Sequence, residues 1–248
     1  MTNGNALVTG ANKGIGFETA RRLAAMGFKV WLGARDAERG EAAAKTLRNE
    51  GLDVEWLELD VASDDSVAAA AKTLTARISS LDALVNNAGI APGYVDALGP
   101  DGRYERPPSR ESVADMKATY DVNVFGPVRV TQAFLPLLLA SPAARIVMVS
   151  SYLGSIARAA DNSQSPNVMA YGSSKTALNA ITVAFARELS PRGIMVNAAA
   201  PGYTATDLNA HKGGRTVQQA AGIIVQLATL KAGSPTGGYF DENGPLPW

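Results

Sequence analysis

The stretch "TGANKGIG", Thr9–Gly16, decides the fold. It closes a short β-rich run, "NALVTG", and opens a segment, "GFETARRLAAMG", with apolar residues at helical spacing (Phe17, Ala20, Leu23, Ala24) and a terminal Gly27. A glycine-rich turn between a strand and a helix suits a phosphate. The helix N-terminus offers free N–H groups and the positive end of a dipole, and glycines let a ligand approach the backbone. The spacing is G-x-x-x-G-x-G at Gly10, Gly14 and Gly16, with Asn12, Lys13 and Ile15 interleaved. It is not the G-x-G-x-x-G of the general dinucleotide fingerprint. Alone, such a turn is as often an ordinary strand-to-helix connection, so the text around it must decide.

Outward from the turn, strand-like and helix-like segments alternate along the whole chain. "FKVWLGA", "DVEWLELDV", "LDALVNNAG", "ARIVMVSS", "GIMVNAAAPG" and "GGYF" read as further strands. "DAERGEAAAKTLRNEG" opens on Asp36, a fitting N-cap, and closes on Gly51. "SDDSVAAAAKTLTARIS" is a helix capped by Ser63 or Asp64. Helical text runs from about Glu111 to Ala140, interrupted near Gly126–Pro127, and again from about Thr216 to Lys231. "MAYGSSKTALNA" reads as the middle of an amphipathic helix extending to about Leu189, and "YLGSIARAADNSQSPN" as a polar loop before it. Strands such as "RIVMVS" are apolar almost continuously, as strands covered on both faces are. The expectation is one domain over residues 1–248: a doubly wound, Rossmann-type α/β fold whose parallel sheet of about seven strands carries helices on both faces.

Composition removes several classes of function. The 248 residues carry 23 basic and 23 acidic side chains, so no basic excess points to nucleic acid or acidic lipid. There is no cysteine, which excludes disulfides, thiolate catalysis and sulfur-bound metal. The single histidine, His211, has no GxSxG elbow to serve, and one histidine does not make a zinc site. No metal is expected. No unbroken apolar run approaches the 18 or so residues of a membrane span, and "MTNGNALVTG" lacks the pattern of a secretory signal. A cytoplasmic protein without membrane contact is the expectation.

At the end of the second strand, NAD sites place a carboxylate on the adenosine ribose. Here "WLGARD" puts Ala34 at that place, with Arg35 next and Lys13 inside the glycine turn. Two cations where a ribose 2′-phosphate lies favour NADP over NAD. Asp36 argues the other way but has a sufficient role as a helix cap.

With these segments in hand, the sequence resembles the short-chain dehydrogenase/reductase family over nearly its whole length. The resemblance rests on ordered motifs: "TGANKGIG", "LDV" (Leu59–Val61), "NNAG" (Asn86–Gly89), "NVFG" (Asn123–Gly126), "VSS" (Val149–Ser151), "YGSSK" (Tyr171–Lys175) and "PGYTAT" (Pro201–Thr206). "GANKGIG", "ARD", "GGYFDENG" and Trp248 are most like the carbonyl reductases of the family. The resemblance implies that Gly10, Asn12, Lys13, Gly14, Ile15, Gly16 and Arg35 hold the cofactor's phosphates, and that Asp60 and Val61 meet its adenine. It implies that Asn87, Ala88 and Gly89 line the cofactor, and that Pro201, Gly202, Thr204 and Thr206 surround the nicotinamide with Tyr203. It implies a catalytic set of Asn123, Ser151, Tyr171 and Lys175, with Tyr171 and Lys175 also touching the cofactor.

Carbonyl reduction needs a hydride for carbon and a proton for oxygen, and the cofactor carries the hydride. Tyr171 and Lys175, at i and i+4, share one helix face, and a nearby ammonium favours the phenolate and lowers a tyrosine's pKa. The resemblance assigns the proton to Tyr171, carbonyl polarisation to Ser151, and to Asn123 a water that connects Lys175 to solvent. Ser150 stays open as the alternative serine, with "SS-x-x-G" anchored on Gly154 favouring Ser151.

Twenty positions separate Ser151 from Tyr171, more than is usual in the family, and "GPDGRYERPPSR" also looks inserted. Both suggest an open pocket for varied or bulky carbonyls. The function expected is NADPH-dependent reduction of a ketone or aldehyde, or the reverse oxidation of an alcohol. A specific biosynthetic ketoreductase and a non-catalytic dinucleotide-sensing or scaffold protein are the alternatives. Family members often pair through helices corresponding to about 111–140 and 170–190, so monomer and homodimer both stand.

Overall fold

The structure, a computed structural model, describes residues 4–99, 104–161 and 166–248. Among the described residues eight strands form one sheet: β1 (Asn5–Thr9), β2 (Lys29–Ala34), β3 (Val54–Glu58), β4 (Ala83–Asn86), β5 (Arg145–Val149), β6 (Met195–Ala199), β7 (Tyr239–Asp241) and β8 (Gly244–Pro245). Their order is β3-β2-β1-β4-β5-β6-β7-β8. All pairs are parallel except β7 with β8, a terminal hairpin that adds one short strand to the seven read from sequence. The order reverses between β1 and β4. The carboxyl ends of those strands open a crevice there, which is where open α/β sheets bind ligands.

Helices cover both faces. On one, α1 (Gly14–Ala25), α2 (Ala37–Asn49) and α8 (Val217–Ala228) bury Leu23, Leu47 and Ile224 against Val8, Val30 and Val85. On the other, α3 (Asp64–Thr75), α5 (Gly126–Leu139) and α7 (Met169–Leu189) bury Leu74, Phe134 and Leu178 against Leu7, Leu84 and Ile146. Every residue of β4 and of β6 is buried, as a strand between two helical layers must be. Two further helices are α4 (Val113–Tyr120) and α6 (Ile156–Asp161).

Several caps are as the sequence suggests. The Asp36 carboxylate accepts from Arg39 N at 2.9 Å, and Ser63, not Asp64, caps α3. Gly27 and Gly51 follow α1 and α2 with φ of 88° and 81°.

Three readings change. The interruption expected near Gly126–Pro127 is a π-helical turn at Asp121–Phe125, joining α4 to α5 without a loop. The segment read as a polar loop folds into a 3-10 turn at Tyr152–Gly154 and α6, while its "NSQS" part, 162–165, lies outside the described residues. Tyr171 stands in the first turn of its helix, not the middle, because α7 begins at Met169. The run Val113–Leu139 is long and apolar enough on average to cross a membrane. Its apolar residues have another employer: Val130, Phe134, Leu137 and Leu138 lie in the core.

Candidate active site

The glycine turn is built for a close approach. Gly10 and Gly14 both take φ of +61°, a left-handed conformation that side chains resist. A Cβ on Gly10 would stand 2.8 Å from the Ala88 backbone. Thr9 locks this junction: its Oγ1 accepts from the N–H groups of Asn87 and Ala88, both at 3.0 Å. Asn87 returns the tie, donating through Nδ2 to the carbonyls of Thr9 and Gly10 at 2.9 and 3.1 Å. "NNAG" therefore clamps the end of β4 to the turn after β1. Thr9 is a site-building residue that motif reading passed over; a threonine at a buried strand end beside glycine was the available signal.

Lys13, at the N-cap of α1, has no side-chain hydrogen bond to the helix, so no cap side chain competes for the N–H groups of the first turn. Ile15 packs partly into the core from that turn. Around the position of Gly14, the nearest atom is the Thr206 methyl, 3.7 Å from where a Cβ would stand. These features fit a pyrophosphate lying between the glycine turn and the Pro201–Thr206 loop.

That loop is stiff. Pro201 is buried, Gly202 takes φ of 82°, Thr204 Oγ1 donates to the Gly202 carbonyl at 3.1 Å, and Thr206 N donates to Asn209 Oδ1 at 3.2 Å.

The two cations proposed for a 2′-phosphate differ. Lys13 is paired with Asp207 across the cleft, and Asp207 also meets His211 Nε2 at 2.8 Å. Arg35 is exposed at the end of β2. A cleft between the glycine turn with α1 and α2 is lined by Asn12, Lys13, Phe17, Arg39, Ala42, Ala43 and Thr46. Arg39, in the first turn of α2, is thus a cation on that cleft which the sequence reading did not consider. Asp60 Oδ1 accepts from Ala62 N at 3.0 Å, and Val61 is buried against Gly126.

At the far side of the crevice the serines separate. Ser150 is buried, and its hydroxyl donates to Asn179 Oδ1 at 2.6 Å. Ser151 starts the 3-10 turn, accepts from Leu153 N at 3.3 Å, and faces Tyr171, whose charged form its hydroxyl favours. Lys175 is 3% exposed; its Nζ donates to the Val149 carbonyl at 2.8 Å and lies 5.4 Å from the Tyr171 ring centre. Gly154 permits this packing, since a Cβ there would stand 2.9 Å from the Lys175 carbonyl carbon.

Electrostatics here depart from expectation. Burial pushes the Tyr171 hydroxyl up to about 12, with the Ser151 hydrogen bond acting in the opposite direction, and burial pushes Lys175 down to about 8. Removing either charged form from water outweighs the mutual effect read from i, i+4 spacing.

Asn123 lies within the π turn and is fully buried. Its Oδ1 accepts from Ile90 N at 2.9 Å, and its Nδ2 donates to the Ile90 carbonyl and to Ser174 Oγ, at 2.9 and 3.1 Å. Both amide hydrogens are spent on bracing the loop after β4 against α7. One Oδ1 lone pair remains, on the side of Gly89 where Lys175 Nζ also lies.

Residues 4–215 match the short chain dehydrogenase family. A (-)-isopiperitenone reductase of Mentha piperita is 33% identical, with 97% of each chain covered. A salutaridine reductase of Papaver bracteatum is 31% identical, covering 95% of this chain and 93% of its own. The NADPH-bound carbonyl reductase from chicken fatty liver superposes with a TM-score of 0.85 at 28% identity over 100% of both chains. The glycine turn, the Ser151–Tyr171–Lys175 cluster and the match across 4–215 agree, and the chain belongs to the short chain dehydrogenase family of oxidoreductases.

Proposed function

We propose that the protein is an NADPH-dependent carbonyl reductase, and the observation that carries the reading is the meeting of Ser151, Tyr171 and Lys175 at the end of β5, in a sheet whose first strand runs through the glycine turn into the uncapped start of α1. NADPH, when bound, supplies the hydride. The first turn of α1 with Gly10, Asn12, Gly14 and Gly16 would hold its pyrophosphate. Arg35 and Arg39 would hold the 2′-phosphate, with Lys13 joining by exchanging Asp207 for it. Asp60 and Val61 would meet the adenine. Asn87, Ala88, Gly89, Pro201, Gly202, Thr204 and Thr206 would shape the groove to the nicotinamide.

Ser151 donates a hydrogen bond to the carbonyl oxygen and stabilises charge as it develops there. Tyr171, a neutral phenol at neutral pH, passes its proton to that oxygen. Lys175 then faces a phenolate, and its ammonium is the charge that stabilises it. Reprotonation runs through a water on the free Oδ1 lone pair of Asn123, whose other bonds keep the site rigid.

The substrate proposed is a bulky ketone or aldehyde. Tyr94, stacked on Tyr104 with ring centres 5.5 Å apart, and the half-exposed Tyr203 give the substrate side an aromatic wall. That fixed wall also favours the second reading, a ketoreductase for one cyclic substrate. NADPH and NADH consumption over a panel of aldehydes, linear ketones, cyclic ketones and diketones tests both. NADPH-dependent turnover across many members supports the broad reductase, and turnover of one cyclic ketone supports the narrow one. No turnover with any member would return the chain to the non-catalytic alternative.

A further inference from the structure

The stretch that looks inserted in the sequence leads into a buried carboxylate. Glu111 has a side chain only 2% exposed. Its Oε1 accepts from Arg106 Nη1 at 3.1 Å and Ser112 N at 3.3 Å. Its Oε2 accepts from the Tyr104 hydroxyl at 3.1 Å and from Ala170 N at 3.4 Å. Arg106 also lies 3.7 Å from Asp115, and crosses Gly93, where a Cβ would stand 2.7 Å from its Nη1.

Ala170 is the second residue of α7 and the neighbour of Tyr171. The first turn of any helix presents N–H groups without partners inside the helix. α7 begins after Val168, whose side chain has no oxygen to offer, and shows no side-chain cap of its own. Glu111 supplies the missing acceptor from 59 positions away, with a negative charge at the positive end of the helix dipole. A buried carboxylate is expensive, and an apolar residue would fill the space at lower cost unless the place requires an acceptor. Burial works to raise the carboxyl's pKa. The bonds from Arg106, Tyr104 and the two backbone N–H groups outweigh burial and hold it below its ordinary value. Tyr104, held by the same carboxylate, is the ring on which Tyr94 stacks, and the Tyr94 hydroxyl lies beside Tyr203.

We propose that Glu111 is a positioning residue: it holds the first turn of α7, and so the Tyr171 hydroxyl, in register with the aromatic wall of the substrate site. Tyr104, Arg106 and Glu111 then form a bolt between substrate wall and proton donor. The proposal rests on the reading of Tyr171 as the donor.

The test compares the parent with Glu111→Gln, which keeps one acceptor oxygen, and Glu111→Ala, which keeps none. Amide exchange in the peptide covering 169–176 is followed by mass spectrometry, beside single-turnover carbonyl reduction and NADPH affinity. The expected order for both protection and turnover is Glu, then Gln, then Ala, the alanine variant losing about tenfold or more in rate as Tyr171 drifts from its reacting geometry. NADPH affinity stays within about twofold, because the cofactor groove is built from other residues. Equal protection in all variants, equal rates, or a loss of NADPH affinity in step with rate overturns the proposal. If the alanine variant does not fold, the Glu–Gln comparison decides. The exchange measurement needs no turnover, so a parent inactive on every carbonyl would refute the function without refuting the cap.

Discussion

Ser150 and Ser151 are neighbours with opposite surroundings. One hydroxyl is spent inside on Asn179 and the other faces Tyr171. Ser151→Ala is expected to lower kcat by about 10²–10³ with stability little changed, as loss of a donor to a developing oxyanion does. Ser150→Ala leaves the buried Asn179 oxygen short of a donor and is expected to cost about 1–3 kcal/mol of stability in urea unfolding. The reverse pattern would exchange their roles. The sequence narrowed the serine to two, but only the partner atoms, set by how the strand meets α7, divide them.

Lys175 gives a pH signature. Its depressed pKa of about 8 means that the ammonium is present below that pH and lost as pH rises through it. If that charge stabilises the phenolate, kcat for reduction falls above about pH 8, while Tyr171, at about 12, keeps its proton throughout. A kcat flat from pH 6 to about 10 would remove Lys175 from that role. At the other end of the groove, the double variant Arg35→Ala/Arg39→Ala is expected to weaken NADPH binding about 10–100-fold with NADH little affected, since charged hydrogen bonds to phosphate contribute about 1.5–3 kcal/mol each. Equal loss for both cofactors would place the 2′-phosphate elsewhere.

At the scale of elements, periodicity and caps made most of the framework legible. Alternating apolar runs gave the strands, and Asp36 and Ser63 cap as their chemistry suggests. What stayed hidden has one physical cause: the relevant partner is far away in sequence. Asn123 sits in a π turn that widens the helix where its amide must reach both Ile90 and Ser174. Composition does not distinguish that turn from a plain helix, although Gly126–Pro127 marked the break. The start of α7 lacks a cap in its own sequence, and that lack was the one clue that a carboxylate such as Glu111 comes from another segment. For the framework itself, Phe134→Ala, at a fully buried position on α5, is expected to cost about 3–5 kcal/mol by urea or thermal unfolding. A cost below about 1 kcal/mol would mean that the core under α5 is looser than described.

For the whole molecule, the switch in strand order lies between β1 and β4, and the candidate site is carried on the carboxyl ends of β1, β4, β5 and β6. The residues proposed for the cofactor groove were legible because they lie in short local motifs. The proposed substrate side was not, because Tyr94, Tyr104 and Glu111 from the connection after β4 meet Tyr203 from the loop after β6 only through folding. The same scale bears on association. Val113 and Phe125, 65% and 51% exposed, leave an apolar face on α4 and the π turn, within the 111–140 segment that the family resemblance suggests for pairing. Sedimentation velocity is expected to report a homodimer that Phe125→Glu dissociates. A monomer at micromolar concentration would instead leave that face unpaired.

The central claim is that Tyr171 delivers the proton to a carbonyl reduced at the expense of NADPH. Turnover by Tyr171→Phe, with NADPH binding followed by fluorescence in the same preparation, tests it most directly. The expected result is NADPH affinity near that of the parent, with kcat lower by about 10²–10⁴ on every carbonyl the parent reduces. A phenylalanine variant that binds NADPH and turns over as fast as the parent would contradict the account.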